Sequence, residues 1–142
     1  MLNDSMPPEP FRFETRIRFI DTDASGRIHY TAMFRYFESA EIEWMRSHGI
    51  IYGGGEFTFP RVHVECDFNL ALRHDDPIAI EVFLTKLGRS SARLEFRTWK
   101  NDEIAATGAV VIVCMSRATQ RAISKPDELR KKLQLAVAAS TI

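Results

Sequence analysis

A chain of 142 residues, 45% of them hydrophobic, suffices for one core and reads as a single domain over 1–142. Nineteen basic residues balance nineteen acidic ones at zero net charge, which argues against a nucleic-acid binder or a polybasic membrane anchor. No run approaches membrane-spanning length, and Cys66 and Cys114 lie in apolar runs as small hydrophobes, which fits a reducing cytoplasm; a disulfide between them is the alternative.

Residues 1–10, with three prolines, Asp4 and Glu9, read as a flexible tail without the apolar segment of a signal peptide. Phe11, Phe13, Thr15, Ile17 and Phe19 then alternate with charged residues, so a half-buried strand is expected to end at Ile20. The polar stretch Asp21-Thr22-Asp23-Ala24-Ser25-Gly26-Arg27-Ile28-His29-Tyr30 follows. It opens a helix expected over Thr31 to Ser47, in which Met33, Tyr36, Phe37, Ala40 and Trp44 repeat at helical spacing. Phe34, Ile42 and Met45 make the other side apolar too, so other structure must wrap this helix; Glu38 and Glu41 are expected in solvent or at a subunit seam, and Glu43 can pair with Arg46. Gly49 suits the helix stop, and Tyr52 to Glu56, with three glycines, reads as a linker or lid.

From Val62 to Leu72 strict alternation predicts a long strand. His74-Asp75-Asp76-Pro77 turns the chain into a strand with Ile78, Ile80, Val82 and Leu84 inward. The Gly88-Arg89-Ser90-Ser91 turn leads to Ala92, Leu94 and Phe96 on a third strand, and Asn101-Asp102 is a hairpin signal before the last, Ile104 to Met115. Ser124, Pro126 and Asp127 start a closing helix that runs to about Ala138. The short later connections make these strands antiparallel neighbours, curled round the long helix: an α+β fold. Its open sheet edge favours dimers or larger assemblies.

Chemistry concentrates at the entrance to the long helix. A helix N-terminus offers N–H groups that stabilise developing negative charge, and a carboxylate beside it can act as base or nucleophile. The four histidines lack metal-ligand spacing, and no serine sits in a nucleophile elbow.

The Asp-x-Asp-x-x-Gly-x-x-aromatic pattern of Asp21 to Tyr30, running into the helix, resembles the hotdog-fold thioesterases of the 4-hydroxybenzoyl-CoA thioesterase and short-chain acyl-CoA thioesterase type. The resemblance covers nearly the whole chain. It implies a hotdog fold, a central helix wrapped by a curled antiparallel sheet of about five strands, with a C-terminal helix. It implies hydrolysis of an acyl-CoA or acyl-carrier-protein thioester, with Asp23 as the catalytic carboxylate and the Tyr30 N–H as oxyanion donor. His29 becomes a candidate substrate contact, standing with Tyr30 where a subgroup has Tyr-His. Arg89, Ser90 and Ser91 fall where relatives contact coenzyme A. The sites are implied at the interface of a homodimer or homotetramer, with coenzyme A as part of the substrate and no other cofactor or metal. A dehydratase or hydratase on the same fold and a non-enzymatic acyl-thioester binding module are the competing readings.

Overall fold

Alternation sets the first strand: Phe11, Phe13 and Thr15 turn toward the core while Arg12, Glu14 and Arg16 face solvent on β1 (Phe11–Arg16). The structure, a computed structural model, describes residues 10–51 and 55–139. The expected tail therefore lies outside the described residues up to Glu9, as do Tyr52 to Gly54 of the expected linker.

The helix α1 spans Met33–Ser47, and Gly49 follows it at φ +71°, the left-handed stop that glycine adopts without strain. Four strands come after it in the main sheet: β3 (Arg61–Phe68), β4 (Pro77–Leu87), β5 (Ser91–Lys100) and β6 (Glu103–Val113). With β1 they form one antiparallel sheet in the order β1-β4-β5-β6-β3. The two-residue turn at Asn101-Asp102 joins β5 to β6, with Asn101 at φ +56° as such hairpins require. A second pairing, β2 (Phe57–Thr58) with β7 (Met115–Ser116), carried no sequence signal. The C-terminal α2 (Asp127–Ala139) packs on β4 and buries Leu133 and Ala136.

One face of α1 lies on the sheet through Met33, Tyr36, Phe37, Ala40 and Trp44, against Ile80, Val82, Leu94, Phe96 and Val110. Phe37 stacks on Phe96 at 4.6 Å. That approach depends on Gly108, where a Cβ would stand 2.3 Å from the Phe37 ring. The two cysteines are unpaired: Cys114 is buried and Cys66 half-buried, and burial pushes the Cys66 thiol up to about 12.

Three expectations are corrected. The first strand ends at Arg16, not Ile20. Ile17 still exchanges backbone hydrogen bonds with Asp75 and Asp76, and a single 3₁₀ turn over Phe19–Asp21 then leaves Phe19 and Ile20 exposed. The strand β3 stops at Phe68 rather than Leu72. Asn69 and Leu70 both donate to Ala105 O, which breaks the ladder, and Leu72 O accepts instead from Ile28 in the acidic loop. Its apolar row is also open: Val62, Val64 and Phe68 are 62%, 46% and 44% exposed, because β3 is the sheet edge.

The third correction concerns Glu41, which is 1% exposed rather than solvated. Its Oε2 accepts from Arg61 at 2.5 Å, while its Oε1 has no hydrogen-bond partner among the described residues. Glu38, on the same helix, is solvated as expected and lies 3.6 Å from Arg61. Burial, outweighing the Arg61 charge, raises the Glu41 carboxyl to about 7. The unfolded chain releases this proton near pH 4.5, whereas the folded chain holds it until about pH 7. Stability is therefore undiminished below pH 4.5 and falls as the pH rises to 7, by about 3 kcal/mol at most. Glu41→Gln mimics the protonated form. Urea unfolding is expected to show it about 1–3 kcal/mol more stable than the parent at pH 8 and level with it at pH 4.5.

Candidate active site

The loop between β1 and α1 folds back on itself. Thr22 bridges to Ile28, Asp23 N donates to Arg27 O at 2.8 Å, and Gly26 N returns to Asp23 O at 3.0 Å. Gly26 makes this turn at φ +82°. Ile28 N then donates to Leu72 O and His29 N to Asp21 O, which fixes the loop to the β3–β4 connection and to its own start.

The two aspartates of the motif point apart. Asp21 is buried and braces the helix entrance: its Oδ2 accepts from the Tyr36 hydroxyl at 2.6 Å, and its Oδ1 pairs with Arg35. The Tyr36 oxygen in turn accepts the Arg18 N–H at 2.9 Å. Burial works against the Asp21 charge, but the Tyr36 and Arg35 bonds more than offset it and hold the carboxyl below its usual range.

Asp23 faces solvent. Its Oδ1 accepts from the Ser25 hydroxyl at 2.6 Å and the Ser25 N–H at 2.8 Å, and the Arg27 N–H lends further support to the charged form. The Ser25 hydroxyl, then the Ser25 N–H, holds this carboxyl below the ordinary value, so it is charged across the neutral range. The carboxylate is thus oriented by the loop and stands open to solvent.

A turn over His29–Ala32 feeds α1, two residues later than the expected Thr31 start. No described residue accepts the Tyr30 N–H, which stands at the mouth of the helix. The Tyr30 ring is 70% exposed and stacks on His29 at 4.8 Å. His29 Nδ1 accepts the Thr31 N–H at 3.2 Å and lies 2.8 Å from Thr31 Oγ1, which leaves the proton of the neutral ring on Nε2. Beside Tyr30 a groove of about 300 Å³ runs past Ile28, Phe68 and Leu70. Asp23, His29 and Tyr30 thus lie on one loop, Asp23 at its turn and Tyr30 at its helix end.

Arg89, Ser90 and Ser91 are not brought to them within one chain. Arg89 is exposed on the β4–β5 turn, whereas Asp23 lies beside the start of β4, and eleven strand residues separate the two ends by roughly 35 Å. The turn has partners that sequence reasoning missed. Arg89 donates to Ser124 Oγ at 2.7 Å, Arg130 donates to Arg89 O at 3.0 Å, and Lys125 is buried against it. The one sequence cue was that Ser124 and Lys125 precede the closing helix and Arg130 lies one turn into it. Among the described residues no cluster of three or more His, Cys, Asp or Glu could hold a metal ion, and no helix is long and apolar enough to cross a membrane.

The sequence profile of the thioesterase-like superfamily matches residues 17–133. A protein of Aquifex aeolicus, provisionally named an esterase, is 31% identical over 88% of this chain and 98% of its own length. A 1,4-dihydroxy-2-naphthoyl-CoA hydrolase of Synechococcus elongatus is 28% identical over 88% of this chain and 96% of its own. Among solved structures, a Staphylococcus aureus protein in complex with CoA superposes with a TM-score of 0.88 at 14% identity, over 99% of this chain and 91% of that one; at that identity it speaks for the fold. The long helix on a five-stranded antiparallel sheet is the hotdog fold.

Proposed function

The chain belongs to the thioesterase-like superfamily, and from that premise we propose that it hydrolyses acyl-CoA thioesters with Asp23 as base or nucleophile and the Tyr30 N–H as oxyanion donor. The observation that carries this reading is the pairing of an exposed, ionised carboxylate with an N–H that no described residue accepts, on the two ends of one braced loop. Such a donor stabilises the charge that develops on the thioester oxygen as the carbonyl is attacked. The proton from water passes to Asp23, or Asp23 attacks directly and water releases the acid in a second step. The thiol leaves in either case.

The groove lined by Tyr30 and Phe68 would receive the acyl group, and its aromatic walls favour an aryl acyl group, the kind carried by the substrate in the name of the Synechococcus elongatus relative. Two unpaired cysteines support placement in a reducing cytoplasm.

The working unit in this proposal is a homodimer. The open edge of β3 and its apolar row of Val62, Val64 and Phe68 would pair with a second copy. Antiparallel pairing about a twofold axis would set the Asp23 end of one protomer beside the Arg89 end of its partner. It would thus unite the two halves of the candidate site that one chain holds apart.

Thiol release over a panel of aryl, short, medium and long acyl-CoAs tests the reaction. Subunit exchange between Asp23→Asn and Arg89→Ala variants tests the shared site. Each variant alone is impaired, and the mixed dimer regains one site with both residues intact, so mixing is expected to restore activity. Free thiol from none of the panel would sink the hydrolase reading. Release without rescue on mixing would sink the shared site alone.

A further inference from the structure

The β4–β5 turn presents an unusual face. All four of its carbonyls are taken by donors from within the protein. Gly88 O and Ser91 O each accept from Lys125 Nζ at 2.6 Å, and Ser91 O also accepts the Gly88 N–H. Arg89 O accepts from Lys125 N and Arg130 Nη2, and Ser90 O accepts from Cys114 N at 2.7 Å. An ordinary β-turn closes when its first carbonyl accepts the N–H three residues on; here that carbonyl, Gly88 O, accepts the Lys125 ammonium instead. No described residue accepts the N–H of Arg89 or of Ser90. The accessible side of the turn therefore offers donors, with the exposed Arg89 guanidinium beside them. Successive unengaged N–H groups next to a cation are the donors that suit an anion.

What holds the turn this way is a lysine that is only 5% exposed. Two neutral carbonyls are its anchors, and among the described residues the titratable groups that act on it are Arg89, Arg130 and the Cys114 thiol, with no acid. A buried ammonium without a carboxylate is unfavourable on its own, so its place here calls for a reason beyond packing.

We propose that Lys125 is a positioning residue for the nucleotide end of the substrate: its buried ammonium draws the Gly88 and Ser91 carbonyls inward and so presents the Arg89 and Ser90 N–H groups to a phosphate of the acyl-CoA. This rests on the reading of the Arg89 turn as the coenzyme A contact. Removing the ammonium leaves Gly88 O without its partner, while Ser91 O keeps the Gly88 N–H, so the turn is no longer held in the orientation that presents the Arg89 and Ser90 N–H groups.

The experiment compares the same acyl group carried on coenzyme A and on pantetheine, which lacks the nucleotide. For Lys125→Met the ratio of kcat/KM for acyl-CoA over acyl-pantetheine is expected to fall about tenfold, with the loss in KM, as for one lost hydrogen bond to a charged group. An unchanged ratio in a folded Lys125→Met variant, or an equal loss on both thioesters, would overturn the proposal. Arg89→Ala separates the two claims. If it leaves the ratio unchanged, the turn is not the nucleotide contact; if it lowers the ratio and Lys125→Met does not, only the role of Lys125 falls.

The unmodified protein supplies a second measurement should Lys125→Met fail to fold. Burial, reinforced by Arg130, pulls the Lys125 ammonium down to about 8. The Cys114 thiol is pushed up by burial, away from this range, so the titration there is assigned to Lys125. KM for acyl-CoA is expected to rise between pH 7 and 9 while KM for acyl-pantetheine does not. Parallel pH profiles for the two substrates would overturn the proposal.

Discussion

The Asp23→Asn variant is expected to lose about 10²- to 10⁴-fold in kcat for thiol release, the range spanned when a positioned acid–base group is removed. Asparagine has the same shape and keeps an oxygen for the Ser25 hydroxyl and N–H, so the loop retains the two bonds that define it. Only the charge and the basicity of the carboxylate go. Thermal unfolding of the variant checks that the fold is intact, since Asp23 is exposed and contributes no core contact. The acid limb of the pH profile follows from the same geometry. The reactive form is the carboxylate, and the Ser25 bonds favour that form, so kcat/KM is expected to hold until the pH falls below the usual carboxylate range. Ser25→Ala removes the larger of those bonds and moves the limb to higher pH. Equal rates for Asp23→Asn and the parent chain would remove the carboxylate from the mechanism and turn attention to His29.

Tyr30→Pro is the second large effect. Proline deletes the one atom implicated in oxyanion stabilisation, the Tyr30 amide hydrogen, and no intramolecular hydrogen bond is lost because no described residue accepts it. The expected loss in kcat is about 10²- to 10³-fold, as for removal of a single oxyanion donor. Tyr30→Phe keeps the amide and the ring face that stacks on His29, and is expected to retain kcat within a few-fold. The contrast between these two variants is the measurement that matters. If proline and phenylalanine behave alike, the amide takes no part. Because a proline at 30 also biases His29 toward extended backbone, circular dichroism and thermal unfolding accompany the assay.

The parts of this molecule legible in the sequence share one property: their cause is local. The Asp21–Tyr30 loop carries its own turn chemistry in Gly26 and Ser25, β5 alternates residue by residue, and Asn101-Asp102 makes its hairpin unaided. What escaped depends on residues distant in sequence. Glu41 was expected in solvent or at a subunit seam, yet it falls on the buried side of this helix, and the arginine that pairs with Glu41 lies 20 residues on at the start of β3. Lys125 reads as a linker residue until the topology brings the β4–β5 turn, 34 residues back, against it. The early end of β1 followed from Asp21 turning inward to Tyr36, a pairing across 15 residues with no periodic signature. The candidate catalytic loop could be read as a motif. That Arg89 lies at the far end of the sheet could be read only from strand order and length.

The brace at Asp21 has a mechanical consequence. Because its carboxylate is tied to Tyr36 and Arg35, the loop is fastened to the helix and not merely to the sheet beside it. Asp23 and Tyr30 therefore ride on the same rigid body. The groove, by contrast, takes Phe68 and Leu70 from the end of a strand at the sheet edge. Substitutions at Phe68 or Leu70 therefore reshape the groove without touching the bonds that hold the carboxylate and the amide. Selection on such an enzyme can retune which acyl group fits while the reacting geometry stays where it is.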